Sequence, residues 1–206
     1  MASASGLIDV SLKRNPLEPS GKSYRLYKGS PHPFGSTVER EGVNFSLYSA
    51  NATSVKLLIF KRPGDLEPLL ELSLDGTDNR SFNIWHVFVE GVKSGMGYAY
   101  RVDGPHETWN GHRFDPDKVL VDPYSKGNCF DLWDRGSACV PGDNLHKSLR
   151  SVVIDVDNYD WEGDEPLQKT MAETIVYEMH VGGFTKSPTS GVKNPGTYLG
   201  LIEKIP

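Results

Sequence analysis

Two sets of residues in this chain are of types that could do chemistry, and their spacing says which chemistry. Glu178 and His180 stand two apart in the run Thr174-Ile175-Val176-Tyr177-Glu178-Met179-His180-Val181. On an extended strand they would project to one side, and a carboxylate beside an imidazole is an acid–base pair. Asp115, Asp117 and Asp122 lie close together beside Pro116 and Pro123. Ligation of a hard cation calls for the tighter D-x-D-x-D-G spacing with its glycine-assisted turn, so these aspartates are expected to make Asx-turns and caps. The six histidines, at 32, 86, 106, 112, 146 and 180, contain no HExxH pair, and Cys129 and Cys139 lack a CxxC spacing. The expectation is therefore no metal, no cofactor and two free thiols.

Composition restricts the fold that could position such residues. The chain has 206 residues and a formal charge of −5, with 37% hydrophobic and 24% charged residues, enough apolar material for a core and too much for a disordered chain. Gly (21) and Pro (14) make up about one residue in six, which predicts many turns. Lys and Arg are scattered rather than striped, so no footprint for a nucleic-acid backbone is present. The longest compact apolar stretch, Leu57-Leu58-Ile59-Phe60, is far short of the ~18 residues of a membrane span. The first six residues lack the basic and apolar regions of a secretory signal, which points to an intracellular setting.

Period-two alternation dominates the first half. Val43, Phe45 and Leu47 alternate with Asn44, Ser46 and Tyr48, and Val55, Leu57 and Ile59 with Lys56, Leu58 and Phe60. These read as half-buried antiparallel strands. Leu70, Leu72 and Leu74 form a third, followed by Asp75-Gly76, a pair suited to a positive φ at a chain reversal. Trp85, Val87 and Val89 share a face of a fourth, which makes Trp85 a core residue, and Tyr98, Tyr100 and Val102 a face of a fifth. Short strands at this spacing, without a helical period between them, predict a β-sandwich. From Gly104 to Asp164 recurrent prolines break any ladder, so this stretch is expected to wrap over the sandwich. The run at 174–181 has large side chains on both faces and reads as a buried strand of a parallel sheet, ended by Gly182-Gly183. The residues from Tyr198 have the spacing of a helix start.

Eight strings occur in the order found in isoamylase-type glycogen and starch debranching enzymes of the α-amylase superfamily, which the chain resembles from about Tyr24 to Pro206. They are Gly29-Ser30-Pro31-His32-Pro33-Phe34-Gly35, Gly42-Val43-Asn44-Phe45-Ser46-Leu47-Tyr48-Ser49, Trp85-His86-Val87, Tyr98-Ala99-Tyr100-Arg101-Val102-Asp103-Gly104-Pro105, Val121-Asp122-Pro123-Tyr124-Ser125-Lys126, Tyr159-Asp160-Trp161, Tyr177-Glu178-Met179-His180-Val181 and Gly196-Thr197-Tyr198-Leu199-Gly200. The chain departs from the family at Gly182, where a basic residue is usual.

The resemblance implies a mainly β chain in four parts. Residues 1–23 would be a polar N-terminal segment, and 24–105 an immunoglobulin-like β-sandwich of the glycogen- and starch-binding type. Residues 106–172 would be a turn-rich connection, and 173–206 the first strand and helix start of a truncated (β/α)₈ catalytic barrel. In such enzymes the catalytic carboxylates sit on later barrel strands. Retaining hydrolysis needs two of them about 5 Å apart, so the chain itself is expected to carry no catalytic residue and to be inactive alone. Glu178 and His180 accordingly take a structural role.

The implied partners are an α-glucan (glycogen, starch or maltooligosaccharide) and, by intramolecular packing, the barrel. The implied compartment is the cytoplasm, with the plastid stroma as alternative. Sugar contact needs aromatic faces beside hydrogen-bonding groups. Trp109 and His112, in the polar loop Glu107-Thr108-Trp109-Asn110-Gly111-His112, are the substrate-binding candidates, and Trp133 and Trp161 have weaker claims. A stand-alone glycan-binding or regulatory scaffold module without catalysis is the competing reading.

Overall fold

The computed structural model of this protein describes residues 12–14 and 24–205, with the backbone alone at 12–14. The chain divides into two compact units, Met1–Tyr159 and Asp160–Pro206. In the first unit eleven described strands form two antiparallel sheets. In chain order they are β1 (Leu12–Arg14), β2 (Arg25–Tyr27), β3 (Gly35–Val38), β4 (Gly42–Tyr48), β5 (Ser54–Phe60), β6 (Leu70–Leu74), β7 (Arg80–Ser81), β8 (Ile84–Glu90), β9 (Gly97–Asp103), β10 (Asn128–Cys129) and β11 (Arg150–Val152). One sheet has the order β1-β6-β5-β9-β11-β10; the other has β2-β8-β4-β3, with β7 on β8. This is a mainly β, immunoglobulin-like sandwich.

The alternating residues meet between the sheets. Val43, Phe45 and Leu47 of β4, Trp85, Val87 and Val89 of β8, Val55, Leu57 and Ile59 of β5, and Tyr98, Tyr100 and Val102 of β9 belong to one buried cluster. Trp85 is 2% exposed, as its shared face predicts. Each fully buried large side chain contributes about 1.5–3 kcal/mol, so the sandwich rests on these strands.

Several expectations need correction. Residues 12–14, read as part of an irregular polar segment, pair with β6 through Leu12↔Leu72. The stretch read as connection supplies β10 and β11, and β11 joins the sheet through Ser151↔Tyr98 and Val152↔Gly97. β5 is buried on both faces rather than one. Leu58, Phe60 and Ala99 form a second cluster with Val119, against which Leu145 packs, so the wrapping stretch covers the outer side of the larger sheet. Arg150 lies in this cover, its guanidinium 4.0 Å from the Phe60 ring centre and donating to Leu145 O. Burial, then the charge of Arg101, pulls its pKa down to about 10. At the turn after β6, Gly76 is not at positive φ. The reversal is held instead by Asp75 Oδ1, which accepts from the N–H groups of Thr77 and Asp78 and keeps that carboxyl below its ordinary range.

The first unit also holds a short helix, α1 (Arg135–Cys139), and the second holds α2 (Val181–Phe184) and α3 (Tyr198–Ile202). The strand expected at 174–181 is absent. Residues 174–180 join no ladder among the described residues, and His180 Nδ1 accepts from Gly183 N at 3.0 Å to cap α2. A strand exists through its ladder, and the described residues of this unit include no neighbour strand to supply one. The helix expected near Tyr198 is present, with Thr197 Oγ1 accepting from Gly200 N. Among the described residues, no helix is long and apolar enough to cross a membrane.

Candidate binding cleft

The end of β4 outruns its neighbour. β3 pairs with β4 only from Val38↔Val43 to Gly35↔Ser46, so Leu47 and Tyr48 are paired on one side alone, with Trp85 and Ile84 of β8. Past this end, Tyr100 of β9 exchanges backbone hydrogen bonds of 2.9 and 2.8 Å with Leu120, drawing the wrapping stretch across. The loop through His112 and Phe114 closes the remaining side. Gly104 makes this possible, because a Cβ there would stand 2.8 Å from the Phe114 ring and 2.9 Å from Asn51 O. The result is a cleft of about 480 Å³ whose walls include Tyr48, Asn51, Tyr100, His112, Phe114 and Asp115. It is an open cleft, with a volume in the range of small-ligand sites.

A strip of rings adjoins the cleft at Tyr48. The Phe34 ring centre lies 6.5 Å from that of Tyr48, 4.7 Å from Tyr124 and 4.8 Å from His32. Tyr48 and Tyr124 are 51% and 45% exposed. The loop carrying Phe34 is tied to β4: the Asn44 side chain donates to Ser30 O and accepts from Ser30 N, and Ser46 Oγ donates to Pro31 O at 2.6 Å. Gly35, at φ +85°, lets Tyr124 come close, since a Cβ would meet Tyr124 O at 2.6 Å.

Behind the cleft sits a buried polar group. Asp122 accepts from the Tyr98 hydroxyl at 2.9 Å and from Tyr124 N at 2.8 Å, which fixes the turn that presents Tyr124. Burial pushes its carboxyl up, partly offset by the Tyr124 N–H and the Tyr98 hydroxyl. Tyr100 is 2% exposed and its hydroxyl has no hydrogen-bond partner among the described residues. Burial, then the charges of Asp122 and Tyr98, raise its pKa well above that of a free phenol.

The residues expected from sequence fall in different places. His112 lines the cleft, 6.4 Å from Phe114 between ring centres. Trp109 lies on a 3₁₀ turn, Thr108–Asn110, is 80% exposed, and is not part of the cleft wall. Trp133 and Trp161 are 45% and 64% exposed. Asp115 makes the expected Asx-turn, Oδ1 accepting from Asp117 N at 3.0 Å. Glu178 and His180 are exposed and lie outside any strand. Sequence reasoning passed over Tyr48, Phe34, Tyr124 and Phe114. The available signal was Tyr48, a large aromatic on the outward-facing side of a strand.

Comparison with known proteins places these features. Residues 33–125 match the family described as carbohydrate-binding module 48 (isoamylase N-terminal domain). The chain is 40% identical over 191 residues to isoamylase 1, chloroplastic, of Oryza sativa subsp. japonica, covering 90% of this chain and 23% of that protein. It is 38% identical over 184 residues to the glycogen debranching enzyme of Cronobacter sakazakii, covering 86% of this chain and 27% of that one. Among solved structures, a product complex of the glycogen-degrading pneumococcal virulence factor SpuA aligns with a TM-score of 0.61 at 20% identity, over 86% of this chain and 18% of that chain. The GBS pullulanase SAP in complex with maltotetraose aligns with a TM-score of 0.59 at 22% identity, over 87% of this chain and 22% of that chain. At these identities the structural likeness is one of fold. The chain spans about a quarter of the length of the curated relatives it matches.

Proposed function

Because residues 33–125 belong to the carbohydrate-binding module 48 (isoamylase N-terminal domain) family, we propose that this chain is the accessory N-terminal part of a glycoside hydrolase that cleaves α-1,6 branch linkages of glycogen or starch. Its own contribution is to hold the α-glucan while other parts of such an enzyme do the chemistry. The observation that carries this reading is the cleft with aromatic walls inside the matched residues, where Tyr48 and Phe114 offer faces to pyranose C–H groups and Asn51, His112 and Asp115 offer partners to hydroxyls. His112 is proposed as a direct sugar contact. Trp109, exposed on the same loop, is proposed as a peripheral one.

Residues 173–206 fit the opening of a barrel on this reading. Ile175, Val176 and Tyr177 are 96%, 75% and 72% exposed, and they would take strand form once neighbouring strands supplied hydrogen bonds and cover. Among its relatives the rice protein is named as chloroplastic, and the plastid stroma is proposed beside the cytoplasm as the compartment.

Native electrophoresis of the chain in gels with and without amylopectin tests the proposal. The expected result is retarded mobility in amylopectin, reduced in His112→Ala and less so in Trp109→Ala. Unretarded mobility of the unaltered chain would contradict it.

A further inference from the structure

We infer that Phe82 is a further sugar-contact residue of this chain, packing against an α-glucan that crosses the open cleft and continues over Tyr48 and Ile84 to the turn between β7 and β8. The inference rests on the glucan reading above and adds to it a contact outside the cleft and the path by which the polymer reaches it.

Three observations carry it. The first is what Phe82 costs. It takes the first central position of the two-residue turn inside the Ser81↔Ile84 pair, at φ 54°, where glycine or asparagine is the usual choice. A large ring there strains the backbone, and with the side chain exposed little is recovered by burial. Strain of this kind gathers at ligand contacts, where the return comes on binding.

The second observation is how firmly the turn is braced. Arg80 Nε donates to Phe82 O at 2.7 Å, Arg80 Nη2 donates to Ala50 O at 3.4 Å, and the same guanidinium lies 4.9 Å from the Trp85 ring centre. Ser49 N donates to Asn83 O at 2.8 Å. The ring is therefore presented on a backbone that needs little ordering when a ligand arrives.

The third is where the turn lies. Ser49 and Asn51, on either side of Ala50, belong to the cleft wall, so the segment that braces the turn also borders the cleft. Tyr48 and Ile84 are cross-strand partners and share the outward face of the smaller sheet, opposite the buried Leu47 and Trp85. Phe82 stands two residues before Ile84, at the end of this row. Because the cleft is open, an internal stretch of glucan can lie across it and pass over Tyr48 toward the turn. An exposed phenyl ring offers it the kind of face on which pyranose C–H groups pack, and Phe82 lies within the matched residues 33–125.

Calorimetric titration of the full chain with maltoheptaose and with maltotriose tests this. Phe82→Gly and Phe82→Asn, which both suit a positive φ and remove the ring, are expected to weaken maltoheptaose binding about five-fold while the melting temperature holds or rises. Maltotriose, short enough to stay at the cleft, is expected to lose less than two-fold, and Phe82→Trp is expected to keep the affinity for maltoheptaose. Loss of affinity without loss of stability separates a direct contact from a structural role. Unchanged maltoheptaose binding in Phe82→Gly and Phe82→Asn would overturn the contact and leave the glucan reading standing, and an equal loss for the two ligands would overturn its place beyond the cleft. Failure of both ligands to bind the unaltered chain would overturn both readings.

Discussion

The Tyr98 hydroxyl donates to Asp122 Oδ2 at 2.9 Å inside the sandwich, joining a core strand to the turn that carries Tyr124. One carboxylate thus serves both packing and presentation of the ring strip. Asp122→Ala leaves the Tyr98 hydroxyl and the Tyr124 N–H unpaired, which should cost about 2–3 kcal/mol in urea denaturation. Asp122→Asn keeps an acceptor and a donor in place. Because the native carboxyl titrates above its unfolded value, the native state holds the proton more tightly, so wild-type stability falls as pH rises past about 4 and levels off above the native pKa. Asp122→Asn should lack that fall.

His86 gives a pH dependence of opposite sign. Its Nδ1 lies 3.2 Å from Lys28 O and must carry the proton, so Nε2 accepts from Ser81 Oγ at 2.8 Å. Burial lowers its pKa, the Lys28 carbonyl opposing, so the native ring is neutral and the unfolded chain binds more protons below about pH 6.5. Stability attributed to His86 is present above that pH and declines below it. Denaturation midpoints from pH 7.5 to 5 should drop more in the wild type than in His86→Gln.

Lys118 holds the wrapping stretch through three carbonyls, its Nζ donating to Ser137 O at 3.0 Å, Gly142 O at 2.7 Å and Val140 O. Among the described residues, no carboxylate takes part. Lys118→Met should cost about 1–3 kcal/mol and raise amide exchange at 137–142 before exchange in β4 or β8 changes.

Phe82 sits at φ 54° in the turn after the Ser81↔Ile84 pair and is 96% exposed. A bulky residue is strained there and its ring gains no burial. Phe82→Gly should stabilise the chain by about 0.5–1 kcal/mol, read as a higher melting temperature.

The long alternating strands were legible because each keeps its period for five to seven residues, and Trp85, Val87 and Val89 show the inner face directly. β1, β10 and β11 have two or three residues each, and only pairing with distant strands makes them strands. The run at 174–181 shows the converse: its residues favour a strand, yet a ladder needs a partner. Of the cleft, His112 was legible as a polar aromatic in a polar loop. Tyr100 was legible only as core, because a missing hydrogen-bond partner is a property of the folded surroundings rather than of spacing.

The central claim is that sugar meets this domain at the cleft between the end of β4 and the Tyr100–Leu120 bridge. Amide chemical shifts of the full chain titrated with maltotriose test it most directly. The account predicts saturable shifts concentrated at Tyr48, Asn51, Tyr100, His112 and Phe114. Shifts confined to the outer side of the larger sheet, around Val119 and Leu145, or no saturable shifts at all, would contradict it.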